Sequence, residues 1–592
     1  MTRRRQPTLT SWQKHLLAEL KALAQQRPDD IQVRGRPTLD PDDEAVLRFA
    51  LRTADIPHHE GGLQLQDTEE FILRLRPSAY SLPAIDVDHT RFLGYPHVLA
   101  GQRLCIYLDP SREWQPTLGV AGLLTRLWDW LVDAAAGNFK ASTAMYHAVG
   151  GVPHQADDTP TIVIREPGPA KRHQTARLIA RSSQRYDLTY SPGTDGHRIP
   201  VITLATALPF GAASTFALLL ALLDDPYLDR LEGRPPRIAP QSRAFLTALL
   251  ASAVRNHDDT EQYFILAVPH PAGGPPHLLG GRLPVPTANA LRTVAHQRGV
   301  GVVLDLAKIN TEIPIEWCRM SDERPEVTTR RDDGRPVNGF QGKIVHIWGC
   351  GGLGSWIAEF IARAGASEIT ACDPGIITGG LLVRQNYVED DIGGSKAEAL
   401  ASRLRAIRDD LTVTVAEGHL PEDPTSCLAA DLIIDATVNN GITSCIDALA
   451  TAPTRKALIA QIATDARSGT LGLVVLCAAN AGATVSDIDQ DAGRTIQCDS
   501  GLELYHGLWQ EPSDDDELIP TRGCSVPTFH GSAADLAAVA ATLVNLIGSH
   551  LQQPESAVSG THLIALPHAA SGPRHHFLPA GTHAMDHTAG TQ

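Results

Sequence analysis

The sequence predicts a multidomain α/β protein whose C-terminal part is a doubly wound parallel sheet. Its 592 residues are about four times the length of a typical domain of about 150 residues. Hydrophobic residues make up 43% and charged residues 20%, the balance of a packed globular chain. We expect an α+β domain over 1–155, an α/β linker domain over 156–325, a nucleotide-type domain over 326–565 and a flexible tail over 566–592.

Charge and cysteine usage exclude several classes of protein. The formal net charge is -16 and the pI about 5.8, which argues against a nucleic-acid partner. The apolar runs predict no signal peptide and no membrane span, so we expect a cytoplasmic protein. The nine cysteines form no C-x-x-C pair, which disfavours disulfides and structural zinc. A chemically active cysteine would therefore be a free thiol.

The first two domains show mixed patterns. In the first, helical periodicity covers 11–26, capped by Thr10 or Ser11, and 120–131, with strand-like runs at 70–75 and 103–108. The second carries no catalytic constellation, and we expect an architectural role. Its pattern alternates strands with two helices, at 161–165, 200–204, 211–223, 241–254, 263–268 and 301–304.

The third domain alternates strands and helices throughout. This pattern is typical of a doubly wound sheet, which binds its ligand at the carboxyl ends of its strands. The predicted strands cover 343–348, 369–372 and 432–435, and the predicted helices 355–364, 396–407 and 535–547. The histidines after residue 566 stand among Gly, Ala, Pro and Thr, which predicts a frayed end rather than a metal site.

A glycine-rich turn joins the first of these strands to its helix. Its glycines are Gly349, Gly351, Gly352 and Gly354. Backbone N–H groups there face an anion, for which a nucleotide phosphate is the natural choice. Asp373 stands 19 residues after Gly354, where a carboxylate can bind ribose hydroxyls. These features alone fit an NAD-dependent oxidoreductase equally well.

Two cationic residues follow Asp373 and help to distinguish nucleotidyl transfer from an NAD-dependent oxidoreductase. Arg384 and Lys396 both reach the same edge of the predicted sheet. A bound dinucleotide needs only the phosphate cradle, whereas a triphosphate that is being split needs cations to hold the migrating negative charge. The pair favours nucleotidyl transfer.

The order of these residues resembles the ThiF/MoeB and ubiquitin-activating adenylation enzymes over roughly 326–550. The resemblance implies that Mg-ATP adenylates the C-terminal carboxylate of a small protein. It implies nucleotide roles for Gly351, Gly354, Asp373, Arg384, Gln385, Lys396 and Asp435. The chain departs from the family at Leu381, where an Asn is usual, and at Val438, which replaces a metal-holding Asp. Asp435 is the nearest carboxylate, and we predict that it holds the Mg2+.

Two cysteines are candidate acyl acceptors. Cys524 lies in a loop before a predicted helix start, which can favour its thiolate, and ubiquitin-activating relatives pass the acyl-adenylate to a cysteine. Cys105 follows Tyr95 and His97 at a spacing that resembles ubiquitin-conjugating enzymes. In that resemblance, His97 would donate a hydrogen bond to the oxyanion.

The whole chain resembles the fused enzymes of CBASS antiphage operons and related bacterial ubiquitin-like conjugation operons. The resemblance implies a homodimer whose substrate is a ubiquitin-like protein or a CD-NTase. The predicted relay runs from the adenylate to Cys524, then to Cys105, then to a target amine. A sulfur-carrier adenylyltransferase, an NAD-dependent oxidoreductase and a non-catalytic adenylation-fold scaffold remain alternatives. The missing C-x-x-C pairs and the long N-terminal half count against the first.

Overall fold

The chain forms two compact units, Met1–Thr329 and Arg330–Gln592. The computed structural model describes residues 8–89, 91–92, 95, 97–98, 103–107, 109–139, 158–169, 171–205, 215–223, 240–269, 274–298, 312–327, 330–416, 418–479, 481–510, 531–554, 557–569 and 571–581.

The described helices, numbered in chain order, are α1 Ser11–Gln26, α2 Pro110–Glu113, α3 Gly119–Ala136, α4 Phe216–Leu223, α5 Pro240–Ala253, α6 Val285–Arg298, α7 Gly354–Ala364, α8 Lys396–Ile407, α9 Asn440–Ala450, α10 Val485–Cys498 and α11 Ala533–Gln552. The strands are β1 Ile31–Leu39, β2 Ala45–Arg52, β3 Thr68–Leu75, β4 Ala84–Asp86, β5 Thr161–Ile164, β6 His173–Ser182, β7 Arg185–Thr189, β8 His197–Thr203, β9 Gln262–Val268, β10 His277–Leu283, β11 Glu316–Cys318, β12 Met320–Asp322, β13 Ile344–Trp348, β14 Glu368–Cys372, β15 Thr412–Ala416, β16 Leu432–Asp435, β17 Leu458–Thr464, β18 Leu471–Cys477, β19 Gly560–Ala565 and β20 His575–Pro579.

The N-terminal part of the first unit is an antiparallel sheet, in the order β1-β2-β3-β4, with helices α1 and α3. Thr10 and Gln13 form a capping box at the start of α1, which confirms the predicted helix start. The strand expected at 103–108 is not found over 103–107, the part of it that the structure describes. Leu104 bonds to Ile85 and Cys105 to His97, so successive residues pair with two different neighbours and no continuous ladder forms.

The remainder of the first unit contains a separate eight-stranded sheet, in the order β11-β10-β9-β8-β6-β7-β5-β12. Its core is built from residues other than those that pack around β1–β4. Strands were predicted at 161–165, 200–204 and 263–268, and β5, β8 and β9 occupy these positions. The strand predicted at 301–304 lies outside the described residues.

The second unit has an eight-stranded sheet in the order β15-β14-β13-β16-β17-β18-β19-β20. Its first five strands are parallel, and the last three are added antiparallel. One apolar core contains residues of α7, α8 and α11, and a second contains residues of α9 and α10. Helices on both faces confirm the doubly wound α/β class. The chain reverses its direction of winding between β13 and β16, so the loops after these two strands are neighbours.

The tail expected from residue 566 is wrong over 575–579, because β20 pairs with β19 there. Histidines that the sequence placed in a frayed end take part in this pairing. His562 Nδ1 lies 2.9 Å from His575 Nε2, and His562 Nε2 lies 3.0 Å from His550 Nε2. Both ring nitrogens of His562 are therefore used in a chain of three histidines.

Among the described residues, one helix, α11, is long and apolar enough to cross a membrane by length and composition alone. Its Leu536, Val539, Leu543 and Ile547 are fully buried and belong to a core of the second unit. These residues are spaced by three or four positions, which is the pattern of a helix packed on a sheet through one face.

Candidate functional site

The glycine turn after β13 is packed so tightly that two of its glycines cannot be replaced without a shift. Gly349 has φ +88°, and a Cβ there would lie 2.9 Å from the carbonyl oxygen of Ala436. A Cβ on Gly354 would collide with the carbonyl oxygen of Gly349. The turn thus presents backbone at the N-terminus of α7, where N–H groups and the helix dipole favour an anion.

Asp373 and Lys396 lie together beside this turn. The Asp373 carboxylate accepts hydrogen bonds of 2.7 Å from the amides of Cys350 and Gly375. A Cβ on Gly375 would lie 2.8 Å from Asp373 Oδ1 and 3.1 Å from Lys396 Nζ. Each carboxylate oxygen has two lone pairs, so Asp373 can also accept bonds from ribose hydroxyls.

Arg384 and Gln385 are buried, with 7% and 6% of their surface exposed. Burial lowers the pKa of the Arg384 guanidinium. Gln385 lies next to the glycine turn, since its Nε2 would be 4.0 Å from a Cβ added to Gly351. The other amide atom, Gln385 Oε1, has no hydrogen-bond partner among the described residues. This amide oxygen can accept a hydrogen bond from an N–H or O–H group of a bound ligand, such as a ribose hydroxyl, but not from a phosphate, whose oxygens are acceptors as well.

A second set of residues, which the sequence analysis missed, holds this segment. Glu359 on α7 binds Asn386 Nδ2 at 2.6 Å and Arg403 Nε at 2.6 Å. The Tyr387 hydroxyl lies 2.6 Å from the carbonyl oxygen of Cys350 and 3.2 Å from that of Lys396. The signal for this set in the sequence was Glu359, a charged residue that lies between Ile357 and Ile361 on the apolar face of α7.

The Asp435 carboxylate, which is the predicted magnesium ligand, is engaged by protein donors. Its carboxylate is fully buried, and Oδ1 accepts bonds from the Thr437 amide at 2.9 Å and the Thr437 hydroxyl at 2.6 Å. Oδ2 accepts a 3.0 Å bond from Gln461 Nε2. The described residues contain no group of three or more His, Cys, Asp or Glu side chains that could hold a metal ion, but Mg2+ beside a nucleotide needs only one or two carboxylates besides the phosphates. The described residues fit the nucleotide, and the magnesium role of Asp435 stays a prediction.

Cys105 lines a cleft of about 300 Å³ in the first unit. Burial and the nearby Glu113 carboxylate raise the pKa of its thiol. The contact with His97 is made by the backbone, because the Cys105 amide donates a 2.8 Å bond to the His97 carbonyl. The His97 imidazole packs edge-on against Phe139, with centroids 4.8 Å apart, and burial lowers its pKa.

Cys524 lies outside the described residues. The next described segment begins at residue 531, and the Ala533 amide donates a 2.7 Å bond to the carbonyl oxygen of Val383. Val383 precedes Arg384, so the start of α11 is fixed beside the candidate nucleotide site.

Three family models match the chain. They are the prokaryotic E2 family A over 24–154, the Cap2 central linker domain over 179–323 and the ThiF family over 341–557. The ThiF match supports the nucleotidyl-transfer interpretation of the glycine turn over the oxidoreductase alternative.

Curated relatives match shorter stretches. The tRNA threonylcarbamoyladenosine dehydratase of Escherichia coli K12 is 35% identical over 85 residues, which are 14% of this chain and 32% of that protein. The ATP-dependent ubiquitin transferase-like protein Cap2 of Enterobacter hormaechei is 30% identical over 133 residues, 22% of each chain. The SAMP-activating enzyme E1 of Haloferax volcanii is 30% identical over 98 residues, 16% of this chain and 36% of that protein. The chain thus spans about a fifth to a third of the length of these relatives.

Among solved structures, the match to PaaA covers 41% of this chain and 75% of the PaaA chain, at 17% identity and a TM-score of 0.31. Escherichia coli MccB with ATP covers 41% and 66%, at 16% identity and a TM-score of 0.29. Scores this low add nothing to the site assignment. The family matches nevertheless account for most of the chain, which is a fused E1/E2-like bacterial protein with a prokaryotic E2 family A domain, a Cap2 central linker domain and a ThiF family domain.

Proposed function

We propose that this protein adenylates the C-terminal carboxylate of a ubiquitin-like protein or a CD-NTase and conjugates that protein to a target amine. The observation that carries the proposal is the arrangement around the glycine turn. Asp373 and Lys396 lie beside backbone that can cradle phosphates. Gln385 Oε1, which has no hydrogen-bond partner among the described residues, can accept a bond from an N–H or O–H group of the ligand.

In the first step, a carboxylate oxygen of the donor attacks the α-phosphorus of ATP. A mixed acyl–phosphate anhydride forms, and the bond to the β-phosphate breaks to release pyrophosphate. Negative charge moves onto the leaving pyrophosphate, where Arg384 and Lys396 can stabilise it. The burial of Arg384 strengthens this effect, because a charge acts more strongly where water is excluded.

In the second step, the Cys524 thiolate attacks the acyl carbon and AMP leaves. Cys524 is nine residues before Ala533, whose amide is bonded to the Val383 carbonyl. Thiol–thioester exchange then moves the acyl group to Cys105, and a target amine displaces that thiol. The cleft beside Cys105 gives the acceptor amine a route of approach.

The same proposal includes a cytoplasmic homodimer that serves antiphage defence or a related conjugation system. A sulfur-carrier adenylyltransferase would share the first step. It would leave the prokaryotic E2 family A domain without a use.

The test follows the acyl group by intact mass and non-reducing gels. The full chain and its Cys105→Ser, Cys524→Ser and Lys396→Ala variants are incubated with Mg-ATP and clarified lysate of the source organism. Serine can trap an oxyester, so we expect ATP-dependent adducts at positions 105 and 524. Lys396→Ala should lose every adduct.

Lys343→Ala is the matched control, because Lys343 pairs with Asp431 at 2.9 Å at the opposite end of β13. It should retain all adducts. If ATP binds and no adduct forms, the thiol assignments fail. If a folded Cys105→Ala protein loses the Cys524 adduct as well, the order of the relay is wrong.

A further inference from the structure

Val438 combines two features that are unfavourable for a valine. Its φ is +52°, in the left-handed region, and 79% of its surface is exposed. A β-branched side chain is disfavoured in that backbone conformation. Because its methyl groups are exposed, they contribute no hydrophobic stabilisation to the fold. Such a residue persists only where its surroundings impose it, and strained positions of this kind cluster at ligand sites.

The surroundings of Val438 do impose its conformation. On one side, the buried Asp435 carboxylate holds both the amide and the hydroxyl of Thr437. Gln461 Nε2 bridges Asp435 Oδ2 and Thr443 Oγ1, each at 3.0 Å. On the other side, Asn439 caps α9 by accepting bonds from Gly441 and Ile442. Val438 is the residue left between these two anchors.

The loop that carries Val438 also lies against the glycine turn. The Ala436 amide donates a 2.8 Å bond to the Trp348 carbonyl, and Gly349 fits only because it lacks a Cβ facing Ala436. In the sheet, β13 lies between β14 and β16. Asp373 follows β14 and the Val438 loop follows β16, so the two flank the turn from opposite sides.

That placement suits ATP and the carboxylate donor to different sides of the glycine turn. If Asp373 takes the ribose and the glycine turn takes the phosphates, the side of β16 is left for the carboxylate donor. Two exposed methyl groups suit an apolar or backbone-rich polypeptide rather than a phosphate or a metal ion. We infer that Val438 contacts the C-terminal segment of the donor protein, and that Asp435 is a positioning residue for Val438 rather than a magnesium ligand. The inference rests on the proposed adenylation of a protein C-terminus.

The first test separates donor binding from nucleotide binding. The donor is the protein recovered as the Cys105→Ser or Cys524→Ser adduct, used whole and as a synthetic peptide of its C-terminal segment. ATP–pyrophosphate exchange gives the donor KM, and calorimetry gives the ATP Kd. Val438→Thr keeps the branched shape but adds a polar hydroxyl, so we expect the donor KM to rise about tenfold with the ATP Kd unchanged. Val438→Ile keeps the side chain branched and apolar, so its donor KM should rise less than that of Val438→Thr.

Val558→Thr is the control, because Val558 is a half-exposed valine outside the site. An unchanged donor KM in Val438→Thr, or an equal rise in Val558→Thr, would overturn the inference. Absence of exchange in the wild-type protein with every donor would instead remove the proposed function, and the inference with it.

The second test concerns Asp435. In Asp435→Asn, the side-chain oxygen can still accept bonds from Thr437, so the loop is weakened but not freed. We expect a higher donor KM and an unchanged Mn2+ affinity of the protein–ATP complex, measured by electron paramagnetic resonance. A fall of about tenfold in that Mn2+ affinity would identify Asp435 as a metal ligand and refute its positioning role.

Discussion

Lowering the pH from 7 to 5 is expected to destabilise the second unit through His562. This side chain is 6% exposed, and both of its ring nitrogens face other histidines. Burial, together with the charges of His550 and His575, lowers the pKa of His562 to about 3. Since the unfolded chain has a histidine pKa of about 6.5, it binds more protons than the folded chain between these values. Stability is therefore complete above pH 6.5 and is lost as the pH falls towards 3.

The two pKa values give the size of the effect. Between pH 7 and pH 5, the free energy of unfolding should fall by about 2 kcal/mol from this one residue. This fall in the free energy of unfolding is measured by urea unfolding of the full chain at both pH values. Hydrogen exchange with mass spectrometry of peptides from β19 and β20 serves as the probe of unfolding. His562→Gln removes the titrating group, and His419→Gln changes an exposed histidine of the same unit.

We expect the loss between pH 7 and pH 5 to shrink by most of the 2 kcal/mol, about 1.5 kcal/mol, in His562→Gln and to persist in His419→Gln. If His562→Gln loses as much stability as the wild type, the buried neutral histidine is not the source. The chain of histidines would then be a purely structural contact.

Three further predictions concern the two candidate sites. Gly349→Ala should destabilise the protein by about 2 kcal/mol or more and abolish ATP binding, whereas Gly380→Ala, where a Cβ meets nothing within 4 Å, should stay within about 0.5 kcal/mol of wild type by thermal unfolding. Tyr387→Phe removes the hydroxyl that contacts the glycine turn and should weaken ATP binding about fivefold by calorimetry; unchanged affinity would show that this contact does not shape the turn. Glu113→Gln removes a negative charge that raises the pKa of Cys105, so iodoacetamide should alkylate Cys105 about threefold faster at pH 8, and an unchanged rate would place the cause in burial alone.

Local signals predicted three of the five parallel strands of the second unit, β13, β14 and β16, whereas β15 and β17 were not predicted. Helix α8 begins at Lys396 because Ser395 caps it, and the short apolar run of β16 ends at Asp435, both as expected. The antiparallel strands were missed, because β18 is apolar at every position and shows no period that separates a buried strand from a buried helix.

The contacts that define the site were harder to predict. Gln461 reaches Asp435 from the neighbouring strand β17, and the sequence does not show that this amide occupies the carboxylate predicted to bind magnesium. Tyr387 was missed for a related reason, since its partners lie on two other segments. Sequence patterns give the elements and the edge of the sheet, whereas pairings between distant segments come only from the fold.

The antiparallel part of this sheet also constrains how the protein is made. Strand β18 ends at Cys477, and its outer partner β19 begins at Gly560. Until the ribosome has released those later residues, β18 has no neighbour on one side and presents the apolar run LGLVVLC with unpaired backbone groups. Such an open edge is a template for pairing with other chains. Overproduction should therefore yield aggregates that form on nascent chains, and slower synthesis at lower temperature should reduce them.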